Sequence, residues 1–277
     1  MKSAINAWSI PKHVSFAQAF SDAKEAGFEG IELNIDSDGE HALTPDITDE
    51  KLAEIRSLSI KYELPVVSIS TSLWGGNMGL GTAQGIEASK NLLSAQIRCA
   101  KALGAGGVLI VPGGINDTTS LVQAYENCRS TLISLRDIIE QSGINIGVEN
   151  VWNAFFTSPF DMARFIDDLN IKGLGAYYDL GNTIAFSNTG DWVEILGSRI
   201  KNIHIKGYKR GAGVNSSGEW CDISKASVSW GKVFKLLKNT GYDGYITAEV
   251  SKTDASQTDT EFYKMVCGEI NSIISNI

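Results

Sequence analysis

The chain has 277 residues, which allows two domains, although a single α/β barrel also commonly takes about 250 residues. Its net charge of −8 and its scattered Lys and Arg residues exclude the clustered basic surface that a nucleic-acid partner requires. Because 43% of the residues are hydrophobic and no linker-like stretch interrupts them, we expect one domain over residues 1–277.

The sequence carries no pattern of secretion or membrane insertion. The N-terminal segment MKSAINAWSI lacks a basic region followed by an apolar one, and no run approaches the roughly 20 apolar residues of a membrane span. We therefore expect a cytoplasmic protein with no membrane contact. The cysteines are far apart and form no C-x-x-C pair, so we expect structural thiols without disulfides at Cys99, Cys128, Cys221 and Cys267.

Short apolar runs alternate with amphipathic stretches along the chain, a pattern typical of βα units and a parallel sheet. The predicted strands are Ala4–Trp8, Gly30–Asn34, Val66–Ser70, Gly107–Val111, Ile144–Glu149, Gly173–Asp179, Ile200–Lys206 and Gly244–Glu249. The predicted helices are Ser15–Ala26, Ile47–Leu58, Gly85–Leu103, Leu121–Gln141, Pro159–Leu169, Trp192–Leu196, Ser229–Asn239 and Glu261–Ile274. Eight such units predict a single (β/α)8 TIM barrel. A doubly wound sheet has the same local pattern, but no G-x-G-x-x-G follows the first strand.

Four of the later apolar runs carry a potential metal ligand at or near the end of a predicted strand. We call these residues the quartet: Glu149, Asp179, His204 and Glu249. The carboxyl ends of barrel strands converge on one mouth, so the four can meet despite separations of 25 to 45 residues. Three carboxylates and one imidazole suit a hard divalent cation such as Mn²⁺ or Mg²⁺. The alternative is four unrelated residues, since a lone acidic residue after a strand is usually a helix cap and a lone strand histidine usually belongs to the core.

The other two histidines, His13 and His41, lie in predicted loops, and surface positions are the favoured interpretation for both. With only 3 histidines in the chain, a histidine-rich multinuclear zinc site is disfavoured. The sequence therefore predicts a single bound ion.

Six segments together resemble the xylose isomerase-like sugar isomerase/epimerase barrels. They are GIELN at 30–34, LIVPGG at 109–114, ENVWNAFFTSP at 149–159, YYDLGNT at 177–183, IKNIHIKGYK at 200–209 and GYDGYITAE at 241–249. Within that superfamily they are most similar to ketose 3-epimerases, in particular the L-ribulose-5-phosphate 3-epimerase or hexulose-6-phosphate isomerase-like group. The resemblance implies that the quartet binds a divalent ion, with Mn²⁺ favoured and Mg²⁺, Co²⁺ or Zn²⁺ as alternatives. It also implies a homo-oligomer, either a dimer or a tetramer.

The same resemblance implies that Glu149 and Glu249 are the catalytic acid/base pair. Loss of a ketose C3 proton would leave a metal-stabilised cis-enediolate, and its return to the opposite face would give the 3-epimer. Return to the neighbouring carbon would give aldose–ketose isomerisation instead. The substrate would be a small sugar or sugar phosphate. An inosose dehydratase, a hydroxypyruvate isomerase-like enzyme and a non-catalytic sugar-binding barrel remain alternatives.

Five residues are predicted to contact the substrate. Asn182 and Arg210 occupy positions that resemble substrate contacts of ketose 3-epimerases, although Asn182 stands where free-sugar epimerases carry a histidine. Trp8 and Trp152 could wall a sugar site, with packing between loops as the alternative. Lys206 is expected to point to the opposite side from His204 if the strand is regular, and it is a second-rank candidate unless the strand ends there.

Several further segments around the expected site can be assigned. Glu32 is expected to make structural hydrogen bonds, and Trp74 either walls the sugar site or packs between loops. The glycine-rich loop 72–82 could bind a phosphate, but a mobile lid is favoured. Gly207 stands where the family carries an aspartate, and the segment 211–227 also departs from the family pattern, so we expect altered substrate contacts there.

Overall fold

A computed structural model describes residues 1–213 and 217–277. Its strands are β1 (Lys2–Asn6), β2 (Gly30–Ile35), β3 (Val66–Thr71), β4 (Gly107–Ile110), β5 (Asn145–Glu149), β6 (Leu174–Asp179), β7 (Ile200–Ile205), β8 (Gly207–Arg210), β9 (Gly218–Cys221) and β10 (Tyr245–Ala248). Its α-helices are α1 (Phe16–Glu25), α2 (Asp49–Lys61), α3 (Ala83–Leu103), α4 (Leu121–Ser134), α5 (Arg136–Ser142), α6 (Pro159–Leu169), α7 (Leu180–Ile184), α8 (Thr189–Leu196), α9 (Trp230–Asn239) and α10 (Asp259–Ser275).

Eight of these strands form a closed parallel barrel in the order β1-β10-β7-β6-β5-β4-β3-β2. Every residue of β2, β3 and β6 is buried, because helices cover the outer face while side chains fill the interior. The predicted (β/α)8 barrel is confirmed. The carboxyl ends of the strands meet at one mouth, where the quartet was expected.

The remaining two strands, β8 and β9, form an antiparallel hairpin that the sequence did not predict. It follows β7 directly and pairs Tyr208 with Trp220. Between its two strands, positions 214–216 lie outside the described part of the chain. We call β8 and β9 together the hairpin.

Besides small shifts at the ends of elements, the structure differs from the predicted elements at the first strand, in the fourth predicted helix and after β6. The first strand ends at Asn6, because the Asn6 side chain accepts a hydrogen bond from the Trp8 backbone N–H and starts a short 3₁₀ helix. The single helix predicted over 121–141 is interrupted at Leu135, whose φ of −98° and ψ of 3° lie outside the α-helical region. The short helix α7, which begins immediately after Asp179, was not predicted.

The glycine-rich loop 72–82 is packed against its neighbours. Trp74 and Met78 are buried, and the Asn127 side chain donates a hydrogen bond to the Gly79 carbonyl. A Cβ added to Gly79 would lie 1.8 Å from the Gly113 oxygen, so this close approach requires glycine. The packing of Trp74 favours the loop-packing alternative, and these contacts argue against a free lid.

His41 is not a surface residue, and that expectation is wrong. It is 5% exposed, and its Nδ1 and Nε2 lie 2.7 Å and 3.1 Å from the carbonyl oxygens of Val14 and Ala7. These carbonyls belong to other loops, so only the folded chain reveals the burial. His13 is exposed, as expected.

The cysteines Cys99 and Cys128 are buried structural thiols, as expected. Burial raises the pKa of Cys99 to about 11 and that of Cys128 to about 12, so both stay protonated near neutral pH. Among the described residues, no helix is both long and apolar enough to cross a membrane.

Candidate metal centre

The pairing of the last barrel strands brings the quartet together. Asp179 at the end of β6 pairs directly with His204 in β7, and Glu149 at the end of β5 pairs with Tyr177. Glu249 follows β10, and its backbone N–H donates to the Ile205 carbonyl. One potential ligand atom from each member of the quartet lies within 4.8 Å of the others.

The donor geometry fits one divalent ion. His204 Nδ1 lies 3.1 Å from a Glu249 oxygen and 3.4 Å from a Glu149 oxygen. Donors bound to one ion at about 2.0–2.4 Å can be at most roughly 5 Å apart, which these separations satisfy. Apart from a 2.9 Å ion-pair contact with Lys206, Asp179 Oδ2 is buried without a hydrogen-bond partner among the described residues. A buried carboxylate oxygen left in this way is a suitable ligand for a cation.

Glu32 fixes the orientation of His204. A Glu32 carboxylate oxygen lies 3.0 Å from His204 Nε2 and also accepts hydrogen bonds from Ser68 Oγ and the Tyr177 hydroxyl. An ionised carboxylate can only accept, so Nε2 carries a proton and Nδ1 faces the quartet. Outer carboxylates commonly orient metal-binding histidines in this way. The geometry agrees with the structural hydrogen-bonding role expected for Glu32.

The two glutamates of the quartet lie in different electrostatic environments. Burial raises the pKa of Glu149 to about 7, and the hydrogen bond and charge of His204 only partly oppose this effect. Burial also acts to raise the pKa of Glu249, but Lys206 and His204 outweigh it and lower that pKa to about 2. The surrounding carboxylates, Glu32 foremost, overcome burial and raise the pKa of His204. Carboxyl groups with separated pKa values are suited to different proton-transfer roles.

Lys206 points toward the quartet, so the expectation that it faces the opposite side is wrong. Strand residues two apart share a face, and β7 ends at Ile205, immediately before Lys206. The ammonium group lies 2.9 Å from both Asp179 Oδ2 and Glu249 Oε2. These neighbouring carboxylates more than offset the effect of burial and raise the pKa of Lys206, so it is a cation at neutral pH.

Asn150 joins the ends of β5 and β6. Its side chain accepts a hydrogen bond from the Asp179 N–H and donates one to the Asp179 carbonyl. The Asn182 side chain donates to the Asn150 carbonyl, and Trp152 Nε1 donates to the Asn182 carbonyl. These bonds place Asn182 and Trp152 beside the quartet. Asn150 was not predicted as a site residue, although its position next to Glu149 was a usable signal.

Arg210 and Trp8 line other cavities. Arg210 ends β8 and borders a cavity of about 390 Å³ between the starts of α8 and α9. Trp8 donates through Nε1 to Asp36 and lines a cavity of about 50 Å³ with Asn34. Neither cavity includes a member of the quartet among its lining residues. The roles predicted for Arg210 and Trp8 therefore stay predictions without geometric support.

A cavity of about 380 Å³ adjoins the quartet. Its lining includes Glu249 and Lys206, together with Trp220 from the hairpin and Lys252 from the loop after β10. Trp220 was not predicted as a site residue. It could not be predicted without the hairpin, because Trp220 approaches the mouth only when β9 pairs with β8.

A family model described as xylose isomerase-like TIM barrel matches residues 20–265. This chain belongs to the xylose isomerase-like TIM-barrel family. The match covers most of the chain and includes every member of the quartet. The family predicted from the sequence motifs is confirmed.

The chain is similar to proteins with assigned names and to proteins of known structure. The chain is 28% identical over 133 residues to fructoselysine 3-epimerase of Shigella flexneri, covering 47% of this chain and 48% of that protein. A crystal structure of a D-tagatose 3-epimerase-like protein has a TM-score of 0.77 at 22% identity, covering 99% of this chain and 98% of the other. A crystal structure of IOLI protein with a bound zinc atom has a TM-score of 0.80 at 15% identity, again covering 99% and 98%.

These similarities differ in what they show. The chain spans about half the length of the curated relatives it matches. The structural likenesses extend over nearly the whole barrel, but at identities of 22% and 15% they show the fold alone. The family and the fold are therefore established by comparison, whereas activity must be argued from the site.

Proposed function

We propose that this protein is a metal-dependent isomerase that catalyses 3-epimerisation of a ketose. The observation that carries the proposal is the convergence of the quartet, with its potential ligand atoms within 4.8 Å of one another. The name of the Shigella flexneri relative, fructoselysine 3-epimerase, supports the same reaction. The donors that would hold the ion are Glu149, Asp179, His204 Nδ1 and Glu249.

A divalent ion held there would act as a Lewis acid on the ketose carbonyl and a neighbouring hydroxyl, making the C3 proton easier to remove. Mn²⁺ is the ion we favour, because three carboxylates and one imidazole form a mainly oxygen donor set. Asp179 and His204 would serve as ligands only. The reacting proton is then left to the two glutamates.

In this proposal, Glu149 and Glu249 exchange the C3 proton on opposite faces of the sugar. One carboxylate removes the proton, and the other returns a proton to C3 from the other side, which inverts that centre. The pKa of about 7 for Glu149 and about 2 for Glu249 supports unequal roles for them. With no ion bound, the higher pKa lets Glu149 keep its proton up to about pH 7, whereas Glu249 is ionised at neutral pH.

Trp152 and Asn182 are the further residues proposed to border the substrate, because their hydrogen bonds hold them beside Asp179. Lys206 joins them, since its ammonium group contacts two members of the quartet. A cytoplasmic location and a dimeric or tetrameric assembly stay predictions.

Proton exchange in D₂O tests the proposed function. The purified protein, saturated with Mn²⁺, is incubated with a panel of ketoses and ketose phosphates, and each sugar is analysed by NMR. We expect deuterium at C3 together with the 3-epimer. Deuterium at C1 with formation of an aldose would replace epimerisation by isomerisation, and loss of water would favour a dehydratase. The absence of exchange into every sugar would contradict the proposal.

A further inference from the structure

An exposed aromatic cluster stands at the mouth of the barrel. Trp220 of the hairpin stacks on Trp152, with ring centroids 4.9 Å apart and planes inclined by 25°. Tyr208 meets both rings edge-on, at centroid distances of 5.2 Å and 5.5 Å. The two indoles are 46% and 53% exposed, so a large apolar surface faces solvent beside a charged centre. Such a surface usually marks a binding site.

Trp220 is the member of this cluster that lines the cavity beside the quartet. Its ring centroid lies 5.6 Å from Lys206 Nζ, which itself lies 2.9 Å from Glu249 Oε2. Trp220, Lys206 and Glu249 line the same cavity of about 380 Å³. A ligand in that cavity would contact the indole on one side and the carboxylate on another.

Gly207 is what permits the hairpin to approach. A Cβ built on this residue would lie 2.3 Å from the Cys221 carbonyl oxygen and 2.4 Å from that of Asp222. Those oxygens belong to the backbone and cannot swing aside, so an aspartate at this position would push β9 away. Gly207 therefore permits a close strand contact that brings Trp220 to the mouth.

The charge around the cavity does not favour a phosphate. With an ion bound, His204 would be a neutral ligand and Glu149 would be ionised. Glu32 and the three carboxylates of the quartet would then carry four negative charges, against one positive charge on Lys206 and two on the divalent ion. Lys252, the other cation lining the cavity, lies 2.6 Å from Asp259 Oδ1. A phosphate dianion would thus enter a site whose ionised groups leave net negative charge. An uncharged sugar avoids this repulsion.

We propose that Trp220 is a substrate-contacting, specificity-determining residue and that the site takes an uncharged ketose, whose C–H face packs on the indole. This inference rests on the proposed function and adds the substrate class to it. The aromatic face supplies apolar contact to the C–H groups of the sugar, while the hydroxyl groups remain free to meet the quartet.

Matched substrates and variants test the inference. The Mn²⁺-saturated protein is assayed for C3 proton exchange with D-fructose and D-fructose 6-phosphate, and with D-tagatose and D-tagatose 6-phosphate. In each pair, the free ketose is expected to show the higher kcat/KM. Trp220→Ala is expected to raise KM for the ketose roughly ten-fold, the scale of one good aromatic contact, while Trp220→Phe recovers most of the loss. Phe160→Ala, at an aromatic residue that is 68% exposed and lines none of the described cavities, is the control expected to match the wild type.

Binding supplies a second readout. The uncharged ketose is expected to change the tryptophan fluorescence of the wild type at saturation, with a change that is reduced in Trp220→Ala. Preference for the phosphate within both pairs would overturn the substrate class while leaving epimerisation in place. An unchanged KM and an unchanged fluorescence response in Trp220→Ala would overturn the role of Trp220. If no sugar exchanges its C3 proton, the proposed function fails, and the fluorescence titration alone decides whether Trp220 binds ketoses.

Discussion

At the residue scale, the quartet acquires its chemistry from the groups that surround it. Glu32 holds His204 through Nε2, so Nδ1 is the nitrogen offered to an ion. Lys206 lies between Asp179 and Glu249 and makes the second glutamate the stronger acid of the pair. The two glutamates therefore differ in protonation although both border the same ion site.

Glu149→Gln tests the proton-transfer role. The amide cannot accept the C3 proton, so we expect exchange to fall by about 10²- to 10⁴-fold even at saturating Mn²⁺. The rate is measured by NMR in D₂O and compared with that of Asp179→Asn, which removes a ligand but no proposed proton carrier. Exchange at the wild-type rate in Mn²⁺-loaded Glu149→Gln would remove Glu149 from the mechanism.

Glu32→Gln tests the positioning of His204. The neutral amide weakens the hold on Nε2–H, so we expect affinity for Mn²⁺ to fall by about 10- to 100-fold. A competitive titration against a chelator measures the affinity, and ¹⁵N NMR of the histidine ring reports a change in tautomer population. Glu194→Gln, an exposed position on α8, is the matched control. Unaltered affinity with an unaltered tautomer would show that Glu32 is dispensable.

The pH dependence of ion binding follows from Glu149. Its folded pKa is raised to about 7, so below that pH the carboxyl is protonated and must lose its proton before it can bind a cation. We expect Mn²⁺ affinity to weaken as the pH falls through 7, with proton release on binding. Calorimetric titrations in buffers of different ionisation enthalpy measure that release. Affinity independent of pH between 5.5 and 8, with no proton released, would be inconsistent with a ligand of raised pKa.

At the scale of elements, the local sequence pattern predicts the barrel strands but not the hairpin. The barrel strands were predictable because each is a short apolar run, and β5, β6 and β7 end within one or two residues of the predicted limits. The hairpin was not, because the need for Gly207 arises only from backbone at Cys221 and Asp222, well along the chain. The sequence shows that Gly207 departs from the expected motif. Only the structure shows that this glycine is needed for the contact with the backbone of Cys221 and Asp222.

Gly207→Ala tests this contact. The added methyl group must displace the second strand of the hairpin, so we expect a loss of about 1–3 kcal/mol in the free energy of unfolding and a raised KM. Urea unfolding measures the first quantity and ketose turnover the second. Gly231→Ala is the control, because nothing lies within 4 Å of its added Cβ near the start of α9. We expect it to be neutral or more stable by roughly 0.5–1 kcal/mol. Equal stability and equal KM in both variants would show that the hairpin tolerates a methyl group at position 207.

At the scale of the whole molecule, closure of the barrel explains why a site spread over a hundred residues could be found from sequence. β1 pairs with both β2 and β10, so every strand end faces the same mouth. This topology converted four separate strand ends into one cluster, as predicted. It could not specify which loops fold over the mouth, and for that reason Trp220 was missed. The role predicted for Arg210, which lines another cavity, stays a prediction.

Anomalous diffraction from crystals soaked in Mn²⁺ tests the central claim, that the quartet is a metal centre. We expect one strong peak about 2.0–2.4 Å from oxygens of Glu149, Asp179 and Glu249 and from His204 Nδ1. No peak among these atoms at saturating Mn²⁺, or an ion bound through His204 Nε2 instead, would contradict it.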